Sequence, residues 1–405
     1  MTHTEVAAAT SRRAGNPAPA GSGRRLPRIG GSSMTVVVGL ALVWGLFESM
    51  NSHFLTPRNL SNLVLQIGVL ATLSLGLVLV LVLGEIDLSV GAIAGLTAST
   101  MAVLLTQHGW PTWAALVAMV GIAALIGFVQ GLVIVTMAIP SFIVTLAGLL
   151  VWQGLQLAVL GDAGQVPIND PFVKGISSSF MGTATGWTIG ILIIAGYAAA
   201  QVLTRRARRA AGLGAKTASD LVVRVVAVAV AVAVVVGVLD AQFGVPWVLL
   251  VLVVLVWLVS LVMHDTPFGR HIYAIGGSRE AARRAGIKVH RITVIVFVIA
   301  AVLASIAGLI EASREFSVSN ALGGGTLQLD AIAAVVIGGT SLFGGRGRAY
   351  HALLGALVVG SVENGLDLLG KSSAVKNVAT GLILVLAVSV DAYGRRRRVA
   401  RGGAA

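Results

Sequence analysis

Apolar runs about as long as a bilayer is thick, separated by short basic segments, dominate this chain. A membrane-crossing helix needs about 20 mainly apolar residues. Residues 63–83 (LVLQIGVLATLSLGLVLVLVL) and 221–239 (LVVRVVAVAVAVAVVVGVL) are two such runs. Of the 405 residues, 56% are hydrophobic and 11% charged, against roughly 25% charged in ordinary soluble domains. We therefore expect one all-α, polytopic membrane helical bundle rather than a pair of soluble domains. The chain contains no Cys, which excludes disulfide frameworks and thiolate metal sites. Its 50 Gly suit close helix–helix approach in lipid.

About twelve spans are expected, beginning near Met34, Leu60, Asp87, Pro111, Ser141, Gly186, Leu221, Val245, Ile292, Leu329, Tyr350 and Ala374. Charge tests that count. With both termini in the cytosol, 24 of the 29 Lys and Arg fall in cytosolic segments and five outside. This is the bias of the positive-inside rule, and adding or losing one span would scramble it. The net charge of +13 is thus a topology signal, and no nucleic-acid partner is expected. Residues 1–33 read as a disordered basic tail, 34–392 as the membrane domain and 393–405 as a second basic tail. Arg24 and Arg25 make a poor twin-arginine signal, so the first apolar run is read as a retained helix.

The island YAIGGSREAARRAGI, Tyr273–Ile287, lies inside a polar loop at 264–291. Glu280 to Ala285 are good helix formers. Ser278 suits an N-cap, and Glu280 sits near the positive end of the helix dipole. Gly286 can end the helix in a left-handed conformation. A helix of about two turns is unstable alone and must dock on something. Two readings stand open: a piece that docks a soluble motor, or a surface helix with Arg279, Arg283 and Arg284 on lipid phosphates.

The order Glu280-Ala281-Ala282, three residues, Gly286 resembles the cytosolic loop of ATP-binding-cassette importer permeases. GEIDLSVGAIAG (Gly84–Gly95), FGRHIYAIGGSREAARRAGI (Phe268–Ile287) and LDAIAAVVIGGTSLFGGRG (Leu329–Gly347) resemble, in this order, permeases of ribose- and xylose-type monosaccharide importers. The resemblance covers about Leu60 to Val390. An additional span pair at about 221–263 looks like the xylose type. The family implies a multi-pass protein of the bacterial cytoplasmic membrane, paired as a homodimer. It implies a separate ATPase subunit docking on Gly277, Ser278, Arg279, Glu280, Ala281, Ala282, Arg283, Gly286 and Ile287. It also implies a periplasmic or lipid-anchored sugar-binding protein on outer loops such as 161–185 and 313–328, and a sugar substrate such as xylose. No cofactor and no covalent chemistry are expected of the chain itself.

Polar residues in or near the spans are candidates for the translocation path: Glu85, Asp87, Gln130, Trp152, Gln153, Gln156 and Asn364. Sugars need hydrogen-bond partners and often an aromatic face. The competing reading is that these groups cap broken helices or bind neighbouring ones. Gly338, Gly339, Gly344, Gly345 and Gly347 suit either a tight turn or a second cytosolic contact. Asp87 and Asp330 each open a small-residue helix, and entry from opposite sides would fit an inverted repeat.

GLDLLGKS, Gly365–Ser372, satisfies the phosphate-loop pattern. It follows an apolar helix rather than a strand, and Asp367 would repel phosphate, so it is not read as a nucleotide site. The five His between His108 and His351 show no metal-ligand spacing. The alternative to an ATP-driven permease is a secondary transporter driven by an ion gradient, which needs acidic groups deep in the spans.

Overall fold

The computed structural model describes residues 31–214 and 217–402. Most of the expected basic tail at 1–33 lies outside them, and residues 31–33 open the first helix. The first half of the bundle is α1 (Gly31–Met50), α2 (Pro57–Leu83), α3 (Val90–Thr106), α4 (Thr112–Met137) and α5 (Ser141–Leu160). A connecting region holds β1 (Gln165–Pro167), α6 (Pro171–Ser178) and β2 (Phe180–Met181). The hairpin α7 (Thr183–Ala210) and α8 (Ala218–Asp240) comes next, then β3 (Val245–Pro246) and α9 (Trp247–Asp265). Two short helices, α10 (Pro267–Gly277) and α11 (Arg279–Arg284), precede the second half. That half is α12 (Val289–Glu315), β4 (Ser317–Ser319), α13 (Leu327–Ile337), α14 (Ala349–Leu368) and α15 (Ser373–Gly402). The expected second basic tail is therefore helical backbone as far as Gly402.

Every expected span start falls within three residues of a helix start. The spans are not equivalent, however. Among the described residues, seven helices are long and apolar enough to cross a membrane unaided. The 11 residues of α13 cover about 16 Å, half the thickness of a hydrocarbon core. The helix α3, at 17 residues, also falls short. Both begin where backbone breaks inside the bundle.

Packing relates the two halves. α4 lies on α12 as α14 lies on α2. α3 touches α12 and α5, as α13 touches α2 and α15. α2 and α12 pack on each other at the centre. Exchanging the halves preserves this pattern, and α2 and α12 are entered from opposite ends, so the repeat is inverted. The most buried span is α2, with 83% of its apolar window inside the protein. The least buried is α8, at 6%, which pairs with α7 on the periphery. The expected additional pair at 221–263 corresponds to α8 and α9; of these, α9 packs on α2 and α14.

One expectation about the repeat needs correcting. Asp87 and Asp330 were to lie at opposite membrane faces. Instead the starts of α3 and α13 approach each other. The Gln328 amide accepts from Gly91 N–H at 2.7 Å and donates to the Asp87 carbonyl at 3.1 Å. The reason is that the 316–326 connection is re-entrant. It runs down the Gly91/Gly95 face of α3, where a side chain at either glycine would strike the Gly323 or Leu322 carbonyl. Leu322 is 5% exposed, so the expected outer stretch 313–328 is internal in part. Before the descent, β4 pairs with β1 in the register Gln165↔Ser319, Val166↔Val318, Pro167↔Ser317.

Small residues make this interlocking feasible. A Cβ at Gly308 of α12 would collide with the Ala94 carbonyl of α3. Gly308→Val should lower stability by about 1–3 kcal/mol through overpacking. Gly196 on the periphery has no neighbour within 4 Å, and Gly196→Val should stay within about 0.5 kcal/mol of the parent. Thermal unfolding of both variants in detergent checks the difference.

Candidate coupling site and polar path

The candidate docking piece is the α10–α11 unit. Thr266 caps α10, its hydroxyl accepting from Gly269 N–H at 3.1 Å. Ser278 ends α10 and caps α11, accepting from Ala281 N–H at 3.3 Å. At the far end Gly286 has φ +80. Its N–H donates to the Arg283 carbonyl at 3.0 Å, and the Ile287 N–H to the Ala282 carbonyl at 3.1 Å. This pair of bonds is a Schellman motif. The expected Ser cap and Gly stop are thus both in place.

The unit has an inner and an outer face. Ile272, Ile275, Ala282 and Val289 are buried in the main core, with Ile287 packed against it. Gly277, Ser278, Arg279, Glu280, Ala281, Arg283 and Gly286 are exposed. Glu280 and Arg284 form an exposed i,i+4 ion pair at 3.1 Å, a contact worth little by itself. Of the expected docking set, Ala282 alone is fully turned inward.

Three backbones meet beneath this unit. The Gly345 N–H donates to the Val82 carbonyl at 2.9 Å. A side chain at Gly276 would collide with Val82 and Gly345, and one at Gly344 with Gly84 and Gly276. The Tyr273 hydroxyl donates to the Gly347 carbonyl at 2.7 Å; burial raises its pKa above the ordinary phenol range, keeping it a donor. The glycine loop at 338–347 is therefore a contact for α10 as well as a turn. Arg279 of α11 pairs with Glu85, in the break between α2 and α3. Glu85, expected along the path, thus lies against the coupling unit.

Deeper in the bundle the other path candidates separate into groups. Asp87 Oδ1 accepts from Ser89 N–H at 2.8 Å and Ser89 Oγ at 2.7 Å, closing the start of α3. Gln130 Nε2 donates to Ser89 Oγ at 2.9 Å. A Cβ at Gly148 would run into Gln130 Nε2 and come within 2.9 Å of Trp152 Nε1, so Trp152 joins this group. Asp87 Oδ2 and Trp152 Nε1 are buried without a hydrogen-bond partner. Gln156 is spent on structure, donating to the Ser319 and Leu322 carbonyls at 3.0 and 3.1 Å. Gln153 is half-buried on the same helix. Asn364 lies elsewhere, at the opposite end, where Asn59 Nδ2 donates to it at 2.7 Å. It borders a cavity of about 320 Å³ shared with Asn62, Gln66, Arg314 and Asp367.

Sequence reasoning missed Ser141, Thr145 and Gln328. Ser141 Oγ and Thr145 Oγ1 accept the broken-backbone N–H groups of Ile86 and Leu88 at 3.0 and 3.1 Å. A signal existed: Ser141, Thr145, Gly148, Trp152 and Gln156 recur at helical spacing and define one face of α5. Gln328 had no such periodic company. The phosphate-loop mimic is the end of α14 with its left-handed Gly370, and Asp367 there binds Lys376 at 2.6 Å.

A family model described as branched-chain amino acid transport system / permease component matches residues 59–388. The chain belongs to that permease family. Its work is translocation, not covalent chemistry. The xylose transport system permease protein of Escherichia coli K12 is 36% identical over 362 residues, 89% of this permease and 91% of that protein. The xylose transport system permease protein of Haemophilus influenzae is 32% identical over 363 residues, covering 89% and 96%. The ribose import permease protein of Bacillus subtilis is 33% identical over 354 residues, covering 87% and 91%. No solved structure matches.

The left-handed stop gives a direct test. Replacing Gly286 by Val forces a β-branched residue into φ +80, at a cost of roughly 1–2 kcal/mol. Hydrogen exchange at residues 278–288 should speed up while the spans keep their protection.

Proposed function

We propose that this permease imports a monosaccharide, a pentose such as xylose, using energy from a separate ATPase subunit. The observation that carries it is the capped α10–α11 unit: anchored inward by Ile272, Ile275 and Ala282, and presenting Arg279, Glu280 and Arg283 outward. A helix of six residues is unstable alone; here its caps and buried face hold it, which leaves the polar outer face free to meet another surface. The printed functions of the relatives, xylose transport and ribose import, favour a sugar over the amino acids of the family description. Of the interior path candidates, Asp87 Oδ2 and Trp152 Nε1 keep unused hydrogen-bonding capacity, which suits a neutral polyhydroxylated solute.

In this mechanism α10–α11 faces the cytosol, in keeping with the basic residues of the 205–224, 270–291 and 346–348 segments. Both termini are then cytosolic, in a bacterial inner membrane. Two copies pair, since an ATPase pair needs two docking sites and each chain offers one such unit; closed two-fold symmetry is also the commonest oligomer. ATP-driven closure of the ATPase pair moves the two α10–α11 units and alternates access to the path. A soluble sugar-binding protein delivers substrate at the opposite end, around the β1–β4 ribbon and α6.

Vesicle uptake of labelled xylose should require ATP, the ATPase and the binding protein together. Uptake driven by an ion gradient alone would instead establish the secondary-transport alternative. Glu280→Lys should weaken ATPase capture about tenfold, equal to about 1.4 kcal/mol, without changing membrane insertion. Co-purification from detergent measures it, and an unchanged yield would remove Glu280 from the docking surface.

A further inference from the structure

We infer that the Arg279–Glu85 ion pair is the link through which α11 moves the broken helix α2–α3, making Glu85 a positioning residue of the transport cycle. This rests on the proposed coupling role of α10–α11. The two residues are 194 positions apart in sequence, so no local propensity brings them together. Glu85 occupies the break between Leu83 and Val90 and its side chain is only 10% exposed, whereas that of Arg279 is 51% exposed. A buried carboxylate is costly without a partner, and Arg279 supplies one from the first turn of the helix that would face the ATPase. A guanidinium's fixed fork favours one geometry over many.

The position matters more than the strength of the pair. Glu85 lies two residues before Asp87, whose carbonyl and side chain hold Gln328 and Ser89. Displacing α11 would therefore pull on a segment that already ties α3, α4, α5 and α13 together. The Tyr273–Gly347 hydrogen bond ties α10 to the glycine loop rather than to the break, and the joints between the unit and the end of α2 are otherwise apolar packing and glycine-to-glycine backbone contact. These resist compression but transmit a sideways or outward pull poorly, because dispersion contacts weaken steeply with separation. A charge pair retains attraction over several ångströms.

The chain has no Cys, so a single thiol pair can replace the charges without background. Permease, ATPase and binding protein would be reconstituted together in liposomes, with xylose and ribose as probes. Glu85→Gln should cut ATP-driven uptake at least fivefold and change the ATPase rate of the complex by less than that, so that more ATP is consumed per sugar moved, while ATPase capture persists. The reversed pair, Glu85→Arg with Arg279→Glu, should recover at least half of the uptake. Glu85→Cys with Arg279→Cys should transport poorly when reduced and regain uptake when joined by a short bis-maleimide.

Uptake by Glu85→Gln equal to the parent would overturn the inference. So would a loss that neither the reversed pair nor the cross-linked Cys pair repairs when uptake is counted per captured ATPase, since that pattern marks a purely structural residue. Should the parent protein move neither probe, the functional reading fails separately. The bridge would then stand or fall on the ATPase rate of the assembled complex: a rate changed by Glu85→Gln and by the reduced Cys pair, and returned in the Cys pair by cross-linking, supports it, and a rate indifferent to all three overturns it.

Discussion

Peptide groups that leave a helix inside a membrane domain must find partners within the protein, because lipid offers none. The break after Leu83 creates that need at the heart of the bundle. Its N–H groups are met one by one: Ile86 by Ser141, Leu88 by Thr145, Ser89 by Asp87, and Gly91 by Gln328. Side chains of α5, of α13 and of the break itself thus converge on this short stretch of backbone. The rest of the architecture follows from keeping them there. α5 is held against α3 by its hydroxyls, α13 by a glutamine, and α4 by the Gln130–Ser89 contact.

Close backbone approach is the second requirement, and glycine provides it where side chains would keep segments apart. Gly91 and Gly95 let the re-entrant 316–326 connection descend along α3, and Gly276, Gly344 and Gly345 let α10 sit on the end of α2. In lipid such approach is favoured by van der Waals contact and satisfied polar groups rather than by expulsion of water. This explains a core containing many small residues, such as Ala300, Ala304, Ala307, Ala333 and Ala334. It also explains why the peripheral α7–α8 hairpin, rich in Val and lacking such contacts, attaches lightly.

Helix positions were legible from the sequence because apolar length and turn chemistry are local properties. The same holds for the coupling unit: Ser278 and Gly286 act within a few residues of themselves, and their caps formed as the spacing implied. What escaped was depth. Nothing local distinguishes a glycine-rich outer loop from one that plunges into the bundle, so Asp87 and Asp330 were assigned to opposite faces although Gln328 brings their neighbourhoods together. The path candidates divide for the same reason. Glutamine in an apolar run signals a polar contact but not its partner: Gln130 meets Ser89, whereas Gln156 secures carbonyls of the re-entrant loop.

The inverted repeat has a consequence for how motion could cross the molecule. The inner break and the outer re-entrant loop each enter from one end, and they join at Asp87, Gly91, Gln328 and Gly323. A helix running unbroken through the bundle, such as α12, can tilt but cannot change the length of backbone between its ends. The break at Gly84–Ser89 can, since Gly84 sits at φ +89 and the following residues carry no helical bonds among themselves. Contiguity alone does not establish coupling; a segment with two arrangements is required. The break is the least hindered place for one, because its peptide groups are held by hydroxyl and amide side chains of α5 and α13 rather than by a helical ladder. A pull at Glu85 would then reach the outer end through a rearranged set of hydrogen bonds, with the long helices moving as rigid bodies around it.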